Sequence, residues 1–217
     1  MAGATSLASW RAAAAVGPGA PNAIGPSAAL ARIMQGNERY AANISANRDY
    51  SAGRAERADA QYPIAAVVGC ADSRVSPELI FDQGPGQLFV VRVAGNFVNG
   101  AGIASLEYAV KYLGVPLIVV LGHSNCGAIS AAIKVLAEGA TLPGRLLDLV
   151  ADLKPGVQAA IDRKPENLLA AAISSNVTYN VGQLQGDEPI ISGTVARGEL
   201  KVVGGIYDIA TGKVGLL

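Results

Sequence analysis

Residues 119–128 read Val119-Val120-Leu121-Gly122-His123-Ser124-Asn125-Cys126-Gly127-Ala128. The apolar run that leads into them, residues 117–121, has the length and composition of a parallel strand buried on both faces. It breaks at Gly122, and an imidazole and a thiol follow three residues apart. The helix-like Ala128-Ile129-Ser130-Ala131-Ala132-Ile133 comes directly after. His123 is the only histidine in the chain, and Cys126 is one of two cysteines.

The other cysteine sits in the same context. Pro63-Ile64-Ala65-Ala66-Val67-Val68-Gly69 is a second apolar strand, with Cys70-Ala71-Asp72-Ser73-Arg74 at its end. In open α/β sheets ligands bind at the carboxyl ends of the strands. Two thiolates and an imidazole suit zinc, and three protein ligands leave the fourth tetrahedral position for water or substrate. The same two cysteines also fit small core hydrophobes. What favours a metal is that all three soft ligands follow strands that can be neighbours. Asp72 and Arg74, two apart around a turn, read on their own as a surface ion pair of little worth.

Working outward, residues 27–43 carry Leu30, Ile33, Met34 and Tyr40 at helical spacing, with Ser27 as N-cap. Residues 47–60 read as irregular. Residues 76–81 form a short helix with Pro77 in its first turn, and residues 88–93 form the next strand. Residues 105–113 are helical and stop at Gly114-Val115-Pro116. From Cys126 to about Leu184 the chain reads as mostly helical, with breaks at Gly139, Pro143, Pro155 and Pro165. Residues 200–209 form a last strand before the turn at Thr211-Gly212. The alternation of strand and helix predicts an α/β fold, a mostly parallel central sheet flanked by helices with right-handed crossovers.

Composition narrows the functional classes. The chain has 217 residues, 51% apolar and 16% charged, which suits one compact domain. Seventeen basic and seventeen acidic side chains cancel with no basic run, so nucleic acid and anionic membranes are poor partners. No apolar run approaches the roughly 18 residues of a spanning helix. Residues 1–26, rich in Ala, Gly and Pro, read as a flexible arm ahead of a domain at 27–217. Residues 7–16 faintly resemble a signal h-region, but Trp10-Arg11 interrupts it and no basic segment precedes it. Two locations stay open: cytoplasmic, or exported to the periplasm with the signal peptide removed.

Cys70-Ala71-Asp72-Ser73-Arg74 and Gly122-His123-Ser124-Asn125-Cys126-Gly127 resemble the two zinc motifs of the β-class carbonic anhydrases. Residues 88–96, 105–110, 36–40 and 205–212 are similar to further blocks of that family, so the resemblance runs from about Ala29 to the end. It implies a carbonate dehydratase (a zinc lyase) that interconverts carbon dioxide with bicarbonate and a proton by attack of zinc-bound hydroxide. It implies Zn2+ on Cys70, His123 and Cys126, with water or Asp72 in the fourth position. In the family Arg74 holds Asp72 off the metal, and when that pair breaks Asp72 ligates zinc itself. Tyr108 and the loop at 97–103 match segments around the substrate pocket, partly from a neighbouring subunit, and the Gly127 amide, at a helix N-terminus, is placed to favour the developing anion. Self-association as a dimer or dimer of dimers follows from the same likeness. The chain departs from some members at Val67, where they carry a tryptophan of a bicarbonate pocket whose other residues match Arg92 and Tyr207. Two alternatives remain beside hydration: hydrolysis of carbonyl sulfide or carbon disulfide at the same zinc, and a non-catalytic zinc-stabilised binding protein. Asp72 and Arg74 argue against the last, because a structural site is more often closed by a fourth Cys or His.

Overall fold

The structure, a computed structural model, describes residues 20, 22–46 and 48–217. Most of the expected arm therefore lies outside the described residues. Four strands run parallel: β1 (Ala65–Cys70), β2 (Leu88–Val93), β3 (Leu117–His123) and β4 (Lys201–Tyr207). A short β5 (Val214–Leu216) pairs antiparallel with β4, and the sheet order is β2-β1-β3-β4-β5. Side chains alternate between the faces of a strand. Ala66, Val68, Ile118 and Val120 join one core, and Ala65, Val67, Val119 and Leu121 join another. Both faces are thus covered, which is why β1 and β3 read as continuous apolar runs.

The order β2-β1-β3 means that the chain steps one way from β1 to β2 and then back across β1 to β3. The connecting helices α3 (Pro77–Ile80) and α4 (Gly100–Leu113) pack on opposite faces, with Ile80 in one core and Leu106 in the other. Right-handed crossovers demand that arrangement when the direction reverses. Reversal opens a crevice at the carboxyl ends of β1 and β3, the two strands that end in Cys70 and His123. Between β3 and β4 runs a helical excursion, α5 (Gly127–Glu138), α6 (Leu146–Arg163), α7 (Leu168–Gln185) and α8 (Ile190–Ala196).

Several expectations change. Residues 54–59 form a short helix, α2 (Arg54–Asp59), within the stretch read as irregular, and none of its residues is buried. The helix α4 begins at Gly100 rather than at 105, because the Asn99 side chain accepts from the Gly102 N–H at 3.0 Å and caps it. Pro155 does not break α6. It sits on the exposed side while Leu153, Gly156, Val157 and Ala160 pack inward, so packing outweighs the missing donor. The packed chain also begins before 27: Asn22 is buried and donates to the carbonyls of Pro63 and Leu113 at 3.0 Å each.

The helix α1 (Pro26–Ala41) locks the far side of the sheet. Asn37 donates to the carbonyls of Ile80 (3.0 Å) and Gly212 (2.9 Å) and accepts from the Val214 N–H (2.8 Å). Two blocks distant in sequence, 36–40 and 205–212, therefore meet through one amide. Asp82 holds the same layer. It is 4% exposed and accepts from Arg39 Nε (2.6 Å), Arg48 Nη1 (2.8 Å) and the Ala46 N–H (3.2 Å). Burial pushes its carboxyl up, but the Arg39 bond, the Ala46 N–H and Arg48 outweigh it and hold the group below its usual value. A carboxyl depressed in the folded state stabilises the protein above the unfolded value, about 3.9, and that stabilisation is lost as pH falls through the folded value. Asp82→Asn keeps a residue that tolerates the local φ of 47°. It is expected to lower stability at neutral pH by about 2 kcal/mol, less than a fully buried pair because both guanidinium groups touch water. In urea melts at falling pH the gap between the two proteins should close below about pH 4.

Candidate active site

His123 ends β3 and Cys70 ends β1. Gly69 is in register with Leu121, so the two ligands leave neighbouring strands one and two residues further on. Past His123 the chain turns sharply. The Ser124 N–H donates to the Tyr207 carbonyl at 2.9 Å, Asn125 adopts a left-handed φ of 56°, and Cys126 stands at the N-cap of α5. Asparagine is among the few residues that take that backbone readily. Gly122 lets α7 close on the end of β3, since a Cβ there would lie 2.7 Å from Val177 Cγ2 and 3.2 Å from Ile173 Cγ2. The outcome is one cluster: the ligand atoms of Cys70, His123 and Cys126 all lie within 4.8 Å of one another, and all three residues are buried.

The His123 ring is oriented by its own loop. Nδ1 lies 3.0 Å from the Ser124 carbonyl, which can only accept, so Nδ1 carries the proton and Nε2 presents its lone pair. That Nε2 is buried and has no hydrogen-bond partner among the described residues. An orphaned buried nitrogen is costly. A soft Lewis-acidic cation relieves it, and two cysteines with one histidine form a zinc donor set with an open position.

The thiols are polarised for the same purpose. A hydrogen bond from Cys126 is the main reason that Cys70 is held down at about 4. Burial opposes it, and His123 and the N–H groups of Gly95 (3.2 Å) and Asp72 (3.4 Å) help. The same hydrogen bond and then burial push Cys126 up. The hydrogen bond favours the charged form of one thiol and disfavours that of the other, and a cation bound between them would favour both as thiolates.

Asp72 and Arg74 are more than a surface pair. Arg74 grips the carboxylate with two parallel bonds, Nε to Oδ1 at 2.9 Å and Nη2 to Oδ2 at 2.7 Å, and its own N–H adds a third at 3.0 Å. These contacts hold Asp72 well below the usual carboxylate range against the effect of burial. Its Oδ2 lies 3.9 Å from His123 Nε2, so a permanent anion stands beside the unpaired nitrogen. The Asp72 and Arg74 side chains are 17% and 50% exposed while His123 is sealed, and the cluster therefore opens to solvent on their side. Arg92 braces the turn between them, donating to the carbonyls of Cys70 (2.9 Å) and Asp72 (2.8 Å).

Residues 65–214 match the carbonic anhydrase family. The fold matches the β-carbonic anhydrase of Coccomyxa solved in complex with acetazolamide, with a TM-score of 0.68 and 31% identity over 87% of this chain and 86% of that one. The chain belongs to the β-class carbonic anhydrases. Carbonic anhydrase 2 of Mycobacterium tuberculosis is 41% identical over 190 residues, 87% of this chain and 91% of the relative. A tetrameric β-carbonic anhydrase of Sordaria macrospora superposes with a TM-score of 0.69 at 26% identity, over 87% of this chain and 96% of that one.

Of the residues expected around the substrate, Gly127 begins α5 next to Cys126, with open space where a side chain would stand. Tyr108 is not brought to the ligand cluster within the chain. Its ring packs on Phe89 (centroids 6.5 Å apart) and Tyr112 (5.4 Å), in the α4 layer rather than the core that holds the thiols. It lies mid-way along a helix on one face of the sheet, whereas the ligands sit at the strand ends. The residues of the bicarbonate pocket are engaged elsewhere: Val67 is core, Arg92 braces the Cys70 turn, and the Tyr207 hydroxyl meets that of Tyr40 at 3.1 Å. Sequence reasoning missed Gly95 as a partner of Cys70 and Arg92 as a brace, because Gly95 acts through its backbone N–H and Arg92 on the backbone carbonyls of Cys70 and Asp72, contacts that no residue pattern reveals.

Proposed function

We propose that this chain catalyses the reversible hydration of carbon dioxide to bicarbonate and a proton, at a zinc ion held by Cys70, His123 and Cys126. One observation carries the reading: the buried, partnerless His123 Nε2 faces two thiols, with a doubly gripped Asp72 carboxylate 3.9 Å away. Bound zinc supplies the Lewis acidity that makes hydroxide available from water at accessible pH. The chain's own groups do the rest. Cys70 and Cys126 contribute two negative charges that cancel those of the dication, so hydration should be favoured at alkaline rather than neutral pH. Arg74 keeps the Asp72 carboxylate ionised and turned aside, where it accepts a hydrogen bond from the attacking water and orients it. Released from Arg74, the same carboxylate would be able to serve as a fourth donor and close the site. The Gly127 N–H, in the first turn of α5, favours the negative charge of the product.

Stopped-flow hydration of carbon dioxide by metal-quantified protein tests the proposal. Zinc near one per chain with turnover rising from mildly acidic to alkaline pH supports it. Full zinc with no hydration at any pH overturns it and leaves carbonyl sulfide as the next substrate to try.

Proton release gives a further expected result. The only histidine is committed to the metal, so no free imidazole carries protons out near neutral pH. Turnover should rise with the concentration of an imidazole-type buffer and level off, and a flat response would contradict this.

Self-association completes the proposal. Among the described residues β2 is an edge strand, apolar except for Arg92, and Phe89 on it meets Tyr108 and, through it, Tyr112 of α4, all only partly buried. An unpaired apolar edge invites a second copy. Tyr108 would then approach a metal site only across that contact.

A further inference from the structure

Two asparagines stand four residues apart on the buried side of α7, among apolar neighbours. Asn176 is 1% exposed and Asn180 is 2%. Buried amides are tolerated only when hydrogen-bonded, and these two hold the loop between β2 and α4. Asn176 Nδ2 donates to the Gly95 carbonyl at 2.9 Å, and Asn180 Oδ1 accepts from the Val98 N–H at 2.9 Å. Asn180 Nδ2 donates to the Asn176 carbonyl (2.8 Å) and to its Oδ1 (3.2 Å), so the pair also locks itself.

What the loop presents is the Gly95 N–H, aimed at Cys70 Sγ from 3.2 Å. Gly95 has a φ of 85°, and a Cβ on it would come within 2.7 Å of Leu153 Cδ2. Only glycine fits there, and glycine by itself imposes no orientation on its two peptide groups. The N–H and the carbonyl of Gly95 flank a single Cα, so fixing the carbonyl limits where the N–H can point.

We propose that Asn176 is a positioning residue of the metal site: by holding the Gly95 carbonyl it aims the Gly95 N–H at Cys70 Sγ, and so sets the strength and geometry of that thiolate as a ligand. The inference rests on Cys70 being a zinc ligand. Hydrogen bonds to coordinating side chains hold their orientation and tune the metal, and losing one typically costs about 10–100-fold in metal affinity.

The test uses the full chain, unaltered and as Asn176→Ala and Asn180→Ala, each stripped of metal. All three are titrated with zinc against a chromophoric chelator and then with cobalt. Asn176→Ala is expected to bind zinc about 10–100-fold more weakly and to shift the sulfur-to-cobalt charge-transfer band to longer wavelength. Asn180→Ala leaves the Asn176–Gly95 bond in place and should move both readouts far less. A purely structural role would lower the melting temperature of both variants and leave the cobalt band where it is, which overturns the proposal. So does equal zinc affinity in the unaltered chain and a folded Asn176→Ala. If the unaltered chain takes up no zinc, the reading of the site fails and this inference falls with it. Should Asn176→Ala not fold, the unaltered chain decides with spin-active cadmium in the site. Scalar coupling from the metal to the Gly95 amide proton, with slow solvent exchange of the Asn176 amide, supports the assignment. Absent coupling or fast exchange overturns it.

Discussion

Cys126→Ala is expected to lose the metal while keeping the fold. Cys126 is the N-cap of α5, and its sulfur makes no capping hydrogen bond of full geometry, although the Ile129 and Ala128 N–H groups favour its thiolate. Replacing it removes one buried atom from a core that Ile129, Val150 and Leu153 continue to fill. Two ligands, Cys70 and His123, would remain, too few for a closed tetrahedral donor set. Zinc should fall from near one per chain to near none after dialysis against a mild chelator. Hydration should drop at least about a thousandfold, because the hydroxide that zinc makes available is lost with it. Metal analysis, stopped-flow assay and a melt against metal-free unaltered protein check the three parts. A variant that keeps its zinc and its turnover would remove Cys126 from the ligand set.

Arg74→Ala should be nearly as damaging by a different route, with zinc retained. The substitution removes both guanidinium bonds to Asp72 at once and leaves only the backbone N–H. A carboxylate beside His123 Nε2 that keeps only the backbone N–H of position 74 would be free to turn and serve as a fourth donor to the metal. Hydration is expected to fall by about two orders of magnitude, the scale on which misplacing a catalytic group acts. Arg74→Lys should recover little, since an ammonium cannot make the two parallel bonds. The double variant Asp72→Ala, Arg74→Ala separates the causes. If closure by Asp72 is the damage, removing Asp72 as well restores part of the lost rate, a non-additivity typical of residues in contact. If the double variant is no better than Arg74→Ala, closure by Asp72 is not what costs the rate.

β1 and β3 were legible because each is buried on both faces, and burial of that kind demands consecutive apolar residues. Residues 88–93 were read as a strand to the residue, and the run ending at Cys70 was placed to within two positions at its start. Where the reading failed, a side-chain bond or a packing contact decided. The start of α4 depended on the Asn99 side chain, and the continuity of α6 through Pro155 depended on what its inner face packs against. The irregular reading of 54–59 erred because a helix of six residues with no buried side chain has no apolar period to betray it.

From residues alone came the donor set and its setting: Cys70, His123 and Cys126 at the ends of apolar runs, with Asp72 and Arg74 close by. Residue chemistry selects a metal, and a strand–turn–helix pattern is local enough to be written in consecutive positions. Only the folded chain makes β1 the neighbour of β3, which turns three separated ligands into one cluster. It alone shows Arg74 gripping Asp72 with two parallel bonds, and Tyr108 lodged in another core. It alone brings Asn176 to Gly95 across 81 residues. Such contacts follow from how helices pack on a sheet, and packing depends on the shapes of whole surfaces that no short stretch of sequence contains.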